Sequence, residues 1–334
     1  MKMIWKTMVG AAATALMVSS LTAPAFAADP TKITLRLAFI AGGIDAPFFV
    51  ALSKGYFKAE NLDVTIIDGD GSTGTIQAVG NGTVQLGNAG LGALAQASAQ
   101  AHFDNIVAVF GDVQKDPSSI ISLKGHGINK PKDLEGKRFA TEAGNLQDGM
   151  ITAFADANGV DMNKVNIIIT DNYKQALLKG DADFINAWAD PDGDLVNDFS
   201  PIDPPMLFAD YGVNLLGSSI IAKKDWLDQN GDAVKGFLRA VTKGHDDVVA
   251  NPDEALDIFM QNRPDAKREA IQREIKVMEQ YRHTANSQGK PFGWVSPVDL
   301  QQTIDLLEKY SGIEKGYVKP DSIYTDKYLP AAAN

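Results

Sequence analysis

Nine residues stand where an α/β chain could place chemistry: Asp45, Phe48, Ser72, Thr73, Asn88, Glu142, Asn145, Trp188 and Asp190. Each falls in a segment that reads as the end of a strand or the start of a helix. In open α/β sheets those edges form the crevice that holds small molecules. Ser72 and Thr73 open a helix, where free backbone N–H groups and hydroxyls suit polar or anionic groups; plain capping uses the same residue types. Asn88 offers an amide at the end of a third strand, and Asn145 follows Glu142 at the matching edge further along. Trp188 can stack on a flat solute, and Phe48 adds an aromatic in the opening helix. Three of the nine are carboxylates: Asp45, Glu142 and Asp190 join Asp70 at these edges, with no Arg or Lys in the same loops. Desolvated carboxylates repel anions and accept from N–H donors. The expected solute is therefore neutral or cationic, such as an aminopyrimidine or amine, and a sulfonate-like anion is the alternative.

Other chemistries fail on spacing. Asp68-x-Asp70-x-Ser72 and Asp190-x-Asp192-x-Asp194 begin like calcium loops but lack the glycine at position six and the glutamate at twelve. Gly87–Gly92 does not fit the dinucleotide pattern, and Gly136-Lys137 has no glycine upstream at phosphate-loop spacing. His102, His126, His245 and His283 share no metal-ligand spacing on a helix face. Cysteine is absent, which removes thiol nucleophiles and zinc–thiolate sites. The expectation is no metal and no cofactor.

The elements that must carry these residues alternate. Residues 33–40 read as a first strand, followed by a glycine loop, a helix from Ala46-Pro47, a break at Lys54-Gly55 and a second strand from about Leu62. Pro47 suits a first helical turn, and Gly55 a left-handed exit. A helix over 75–80, a strand over 84–87, a helix over 91–101 and a strand over 106–110 continue the alternation. Residues 118–123 form a further strand, and a second series runs from 138 to 187. Strand 215–222 returns the chain, and helices over 233–249, 252–261, 265–281 and 297–310 follow. The stripe Ile271, Ile275 and Met278 reads as packing. This order predicts two α/β units with parallel sheets, hinged near 118–125 and 214–219.

The first 27 residues read as a leader. Lys2 and Lys6 precede an apolar run over 7–21, and Ala25-Phe26-Ala27 is an A-x-A cleavage pattern. The run falls short of the roughly 20 residues a span needs, so no membrane insertion of the mature chain is expected, and the location is periplasmic. The formal charge is −11, which argues against nucleic acid as a partner.

The run GGIDAPFFVALSKGYFKAENLDV over 42–64, with GNGTVQLGNAG over 80–90, GINKPKDLEGK over 127–137 and ALLKGDADFINAWAD over 176–190, resembles substrate-binding proteins of ABC importers. The branch resembled handles sulfonates, taurine, nitrate and the thiamine pyrimidine. Asn61 departs from the family's glycine; asparagine is the residue best able to replace it at positive φ. The resemblance implies two lobes joined by two crossover strands, in the type II-like manner. Lobe I would span 28–121 and 216–334, and lobe II 122–215. It implies hinge closure on a small solute and delivery to a membrane permease and ATPase, with the chain a monomer. A periplasmic ligand sensor is the second role open to such a chain. The pyrimidine-synthase branch of the same fold resembles a cytosolic protein with a cysteine-rich motif; a leader and no cysteine depart from it, so no enzymatic activity is expected.

Overall fold

The structure, a computed structural model, describes residue 1 and residues 29–101, 103–143 and 149–330. The segment over 1–27 read as a leader, beyond Met1, together with His102 and Asn145, lies outside the described residues.

Two five-stranded sheets organise the chain. The first contains β1 (Thr31–Arg36), β2 (Leu62–Ile67), β3 (Leu86–Gly90), β4 (Ile106–Gly111) and, from far along the chain, β10 (Ser218–Lys223), in the order β2-β1-β3-β10-β4. The second contains β5 (Ser118–Ser122), β6 (Arg138–Thr141), β7 (Asn166–Ile169), β8 (Phe184–Trp188) and β9 (Met206–Leu207), in the order β7-β6-β8-β5-β9. Pairings among β1, β2 and β3, and among β6, β7 and β8, are parallel. The strands nearest the junction, β10 and β5, pair antiparallel with their neighbours. Each sheet is therefore mixed: the expected parallel units are there, and the two strands flanking the crossovers run against them.

β5 sits wholly in the second sheet, so a division at residue 121 would cut through it. The chain passes between the two sheets at 112–117 and again at 214–217, after Phe208 and Val213 have packed in the second core. Asn214 ties these to each other, its Nδ2 donating to the Gln114 carbonyl at 2.8 Å and its Oδ1 accepting from Asp116 N at 3.0 Å.

Helices cover both faces of each sheet. In lobe I, α1 (Ala46–Ser53) and α2 (Tyr56–Ala59) lie on one face, with α3 (Ser72–Gly80) and α4 (Leu91–Ala101) on the other. In lobe II, α5 (Met150–Ala157) and α6 (Tyr173–Lys179) take opposite faces, with α7 (Asp194–Asn197) beside α6. The C-terminal third returns to lobe I as α8 (Lys224–Ala250), α9 (Pro252–Asn262), α10 (Arg268–Val277), α11 (Glu279–Arg282), α12 (Pro297–Tyr310) and α13 (Pro320–Ile323). α1 is apolar all round, and a helix of that kind is buried on every side. Phe48 and Phe49 pack with Phe237, Leu238 and Val241 of α8. Gly55 takes φ 75° and Asn61 φ 55°, as the turn chemistry required.

Two boundaries move in ways that matter for the site. β1 stops at Arg36, so residues 37–42 form a loop and Gly43–Asp45 a short 3-10 turn before α1. β3 continues to Gly90, which puts Asn88 inside the strand opposite Ile220 of β10 rather than at its end. Glycine-rich LGNAG has little strand preference of its own; pairing on both sides overrides it.

Candidate functional site

The lip of lobe I is made by two loops zipped along their backbones. Gly69 N donates to the Phe39 carbonyl at 3.1 Å, and Gly71 N to the Ala38 carbonyl at 2.6 Å. A Cβ on Gly69 would lie 2.0 Å from the Leu37 carbonyl oxygen, so this close approach requires glycine. The zipper leaves Phe39 and Ile40 turned outward, 50% and 78% exposed. Ser72 starts α3, and its Oγ accepts from Gly90 N at 3.0 Å, fixing the lip to the end of β3. Thr73 is exposed beside it.

Lobe II answers with Trp188, which ends β8. Its ring meets Phe39 edge to face, centroids 6.0 Å apart at 87°. Its aromatic neighbour is a residue that the glycine-loop reading passed over. Glu142 follows β6 and is half-buried; its charge contributes to holding the Tyr173 hydroxyl above its usual range, after burial of that ring. Asp190 is half-buried and accepts from the Tyr281 hydroxyl at 2.5 Å. Burial pushes the Asp190 carboxyl up, against the pull of that hydrogen bond.

Beneath the lip lies a buried polar cluster at the hinge. Asp45 points inward, its Oδ2 accepting from Gly42 N at 3.0 Å. Burial, reinforced by the nearby Asp112 and Glu274 charges and opposed by Arg282, pushes its pKa up to about 7. Glu274 of α10 accepts from Gly43 N. The Gly42-Gly43 pair is what lets α10 come so near: a Cβ on Gly43 would lie 2.7 Å from both Glu274 Cβ and the Ile271 carbonyl. Arg282 is fully buried. Its Nη2 donates to the Ile44 carbonyl at 2.6 Å, and its Nη1 to the Asp112 carbonyl at 2.9 Å and to Asp112 Oδ1. Asp112 Oδ2 accepts from Asn88 Nδ2 at 3.2 Å. Burial pushes Asp112 up while Arg282, first among the opposing groups, holds it down. The Tyr281 carbonyl accepts from Gln114 N and Lys115 N of the first crossover, at 2.8 and 3.0 Å.

Lobe contacts also close the outer edge. Arg273 of α10 donates from Nε to Asp194 at 2.8 Å and from Nη2 to Asp198 at 3.3 Å. The cavity of about 240 Å³ beside this pair is rimmed by Asp192, Leu195, Lys267 and Ala270. Within it Arg273 pairs with Asp194 and Asp198, while Asp192 pairs with Lys174 and Glu274 accepts from Gly43 N.

Several expectations need correction. Phe48 has no exposed surface; it belongs to the lobe I core because α1 is packed under α8. Asp45 is a staple of its loop and no exposed carboxylate. The picture of acidic loops without cations also changes, since Arg36 pairs with Asp70 at 2.7 Å and Arg273 and Arg282 arrive from helices. Asn145 lies outside the described residues. Phe39, Asp112, Glu274, Tyr281 and Arg282 were missed. The exposed aromatic in a glycine loop was the signal for Phe39; no local pattern marks the others.

The family model described as NMT1/THI5 like matches residues 45–255. The chain belongs to this family. A formylaminopyrimidine-binding protein of Halalkalibacterium halodurans is 23% identical over 292 residues, covering 82% of this chain and 84% of that protein. A 4-amino-5-hydroxymethyl-2-methylpyrimidine phosphate synthase of Aspergillus parasiticus is 26% identical, covering 70% and 71%. A riboflavin-binding protein of Chloroflexus aurantiacus is 26% identical, covering 73% and 71%. In three dimensions the chain is similar to the periplasmic aliphatic sulphonate binding protein of Escherichia coli, with TM-score 0.66 and 15% identity over 88% of this chain and 91% of that one. The fold is therefore the two-lobe periplasmic binding protein fold. The synthases overturn the expectation that the chain is not an enzyme: relatives of comparable identity are named as enzymes, so the missing cysteines and the leader-like N-terminal sequence do not settle that question. Among the described residues, no helix is long and apolar enough to cross a membrane.

Proposed function

We propose that this chain is the periplasmic solute-binding component of an ABC import system, and that it captures a flat, N–H-bearing solute of aminopyrimidine type between its lobes. The observation that carries the reading is the meeting of Phe39 and Trp188 across the cleft. Two rings from opposite lobes, each about half exposed, offer faces and edges to a planar heterocycle. Acceptors for N–H groups are Asn88 Oδ1, which has no partner among the described residues, and the Asp190 carboxylate, while Arg273 and Arg282 are engaged by carboxylates. The formylaminopyrimidine-binding relative supports the solute class, and the riboflavin-binding relative supports a flat heteroaromatic more broadly.

The mechanism is hinge closure. A solute that touches Phe39 on one lobe and Trp188 with Asp190 on the other has its full contact set only when the lobes are together. It shifts the population toward closure by that difference in affinity. The segments 112–117 and 214–217, stitched by Asn214, are where the lobes turn. Delivery would be to a permease and ATPase carried on other chains.

Thermal shift against aminopyrimidines, primary amines, taurine, alkanesulfonates and nitrate tests the reading. A solute at 100 times its Kd adds about 2.7 kcal/mol of stability. A shift with an aminopyrimidine and none with sulfonates supports it; the reverse pattern overturns it. The synthase relatives favour a second reading, catalysis on the same solute class. Mass spectrometry of the solute after incubation separates the two: unchanged recovery supports capture, and conversion supports an enzyme.

A further inference from the structure

The hinge holds an acceptor whose direction is set from behind. Asn88 is 2% exposed, and its Nδ2 is committed to Asp112. Reversing the carboxamide would set Oδ1 against a carboxylate oxygen, acceptor against acceptor. Asp112 in turn is held as an acceptor, because Arg282 occupies its Oδ1 and its backbone carbonyl. Arg282 cannot swing away, since its other nitrogen is bound to the Ile44 carbonyl of the first loop. The amide is thus oriented by a relay of three buried groups. Its Oδ1 is buried and has no partner among the described residues. Buried polar atoms in native proteins are bonded with few exceptions, and an exception asks for an explanation.

The position of that oxygen supplies one. Side chains alternate along a strand, so Asn88 shares a face of β3 with Leu86 and Gly90. Leu86 is fully buried in the core under α1, and the relay through Asp112 and Arg282 ends on the Ile44 carbonyl of the first loop. Asn88 therefore stands in the buried polar cluster beneath that loop.

We infer that the Arg282–Asp112 pair orients Asn88 so that its Oδ1 accepts a hydrogen bond from the solute, which makes Asn88 the residue that selects for N–H donors. This rests on the binding reading above and adds the element that decides between solute classes. An alkanesulfonate or nitrate presents only acceptors and meets an acceptor that cannot turn. An exocyclic amine satisfies it. Asp112 and Arg282 are positioning residues: they act on the solute through the amide of Asn88. A site built for a hydrogen bond discriminates strongly, because the wrong partner leaves a buried group unpaired.

The experiment compares two probes of one shape, 4-amino-2-methylpyrimidine and 2,4-dimethylpyrimidine, by isothermal titration calorimetry. The proteins are the unaltered chain, Asn88→Ala, Asn88→Ser and Asp112→Asn, each checked by circular dichroism. The unaltered chain should prefer the amino probe at least tenfold. Asn88→Ala should remove that preference, bringing the affinities for the two probes to within twofold of each other. Asp112→Asn should lower the preference ratio, a readout that a purely structural loss, weakening both probes alike, would not move. Where Asp112→Asn fails to fold, the Asn88 variants and the paired probes still decide. Equal preference in Asn88→Ala and in the unaltered chain overturns the role of Asn88 and leaves the binding reading standing. An unaltered chain that binds both probes equally also overturns it. No binding of either probe, with or without binding of ethanesulfonate, overturns both.

Discussion

At the lip of the cleft, Phe39 and Trp188 meet with 50% and 41% of their surfaces open, whereas at the hinge Arg282 and Asp112 pair with 0% and 1%. The two regions lie a few residues apart along the first loop and obey different energetics. A lip aromatic keeps surface in reserve for a solute, so changing it should alter affinity and spare the fold. A buried ion pair has given up its hydration; breaking it strands a charge, so a change there should alter the fold first. What separates lip from floor is the carbonyl of Ile44, the last point at which the loop is tied to Arg282 before the helix begins.

The comparison can be broken at either end. Arg282→Met leaves Asp112 buried without its partner, and chemical denaturation should show a loss of about 3–5 kcal/mol. A loss below about 1 kcal/mol would mean that the pair is not the structural centre of the hinge. Asp45→Asn probes the same region through pH. The carboxyl titrates near 3.8 when unfolded and about 7 when folded, so the folded protein holds its proton longer. Stability is then greatest below the unfolded value and declines as pH rises through the window between 3.8 and about 7, by roughly 4 kcal/mol at most. The amide variant keeps the acceptor for Gly42 N and removes the titration. Melting temperatures at pH 5 and pH 8 should therefore differ less in Asp45→Asn than in the unaltered chain; parallel profiles would refute the assignment.

At the lip, Trp188→Ala should weaken solute binding about three- to tenfold, the range of an aromatic contact worth about 0.5–1.5 kcal/mol, with an unchanged melting temperature in the absence of solute. Unchanged affinity would remove Trp188 from the site. The smallest effect is expected at Arg273, whose pair with Asp194 and Asp198 is partly exposed. Arg273→Ala should cost under about 1 kcal/mol, and the difference should fade as salt is raised. A salt-independent loss would show that the pair does more than hold the outer edge.

The lip was legible in the sequence because its logic is local. Strand ends and helix starts carry Ser72, Glu142, Trp188 and Asp190 wherever an α/β unit closes, and the period of the pattern shows where those ends fall. The hinge was hidden because its partners are distant in the chain: Arg282 reaches Ile44 across 238 positions and Asp112 across 170. Tyr281 and Arg282 sit at the end of an apolar stripe that reads as packing, and packing is indeed what Ile271, Ile275 and Met278 do. Asn88 was seen as an edge residue, but the strand continues through it because β10 arrives from residue 218 to pair with it. The antiparallel setting of β10 and β5 has the same cause. Phe48 was misplaced for another reason: proximity to the glycine loop suggested the cleft, while a helix apolar on all sides belongs inside.

Calorimetric titration of the unaltered chain with 4-amino-5-hydroxymethyl-2-methylpyrimidine and with ethanesulfonate, at one salt concentration and pH 7.5, tests the central claim most directly. The account predicts saturable 1:1 binding of the pyrimidine in the micromolar range or tighter, and no measurable heat of binding from the sulfonate. Saturable binding of the sulfonate with none of the pyrimidine would contradict it.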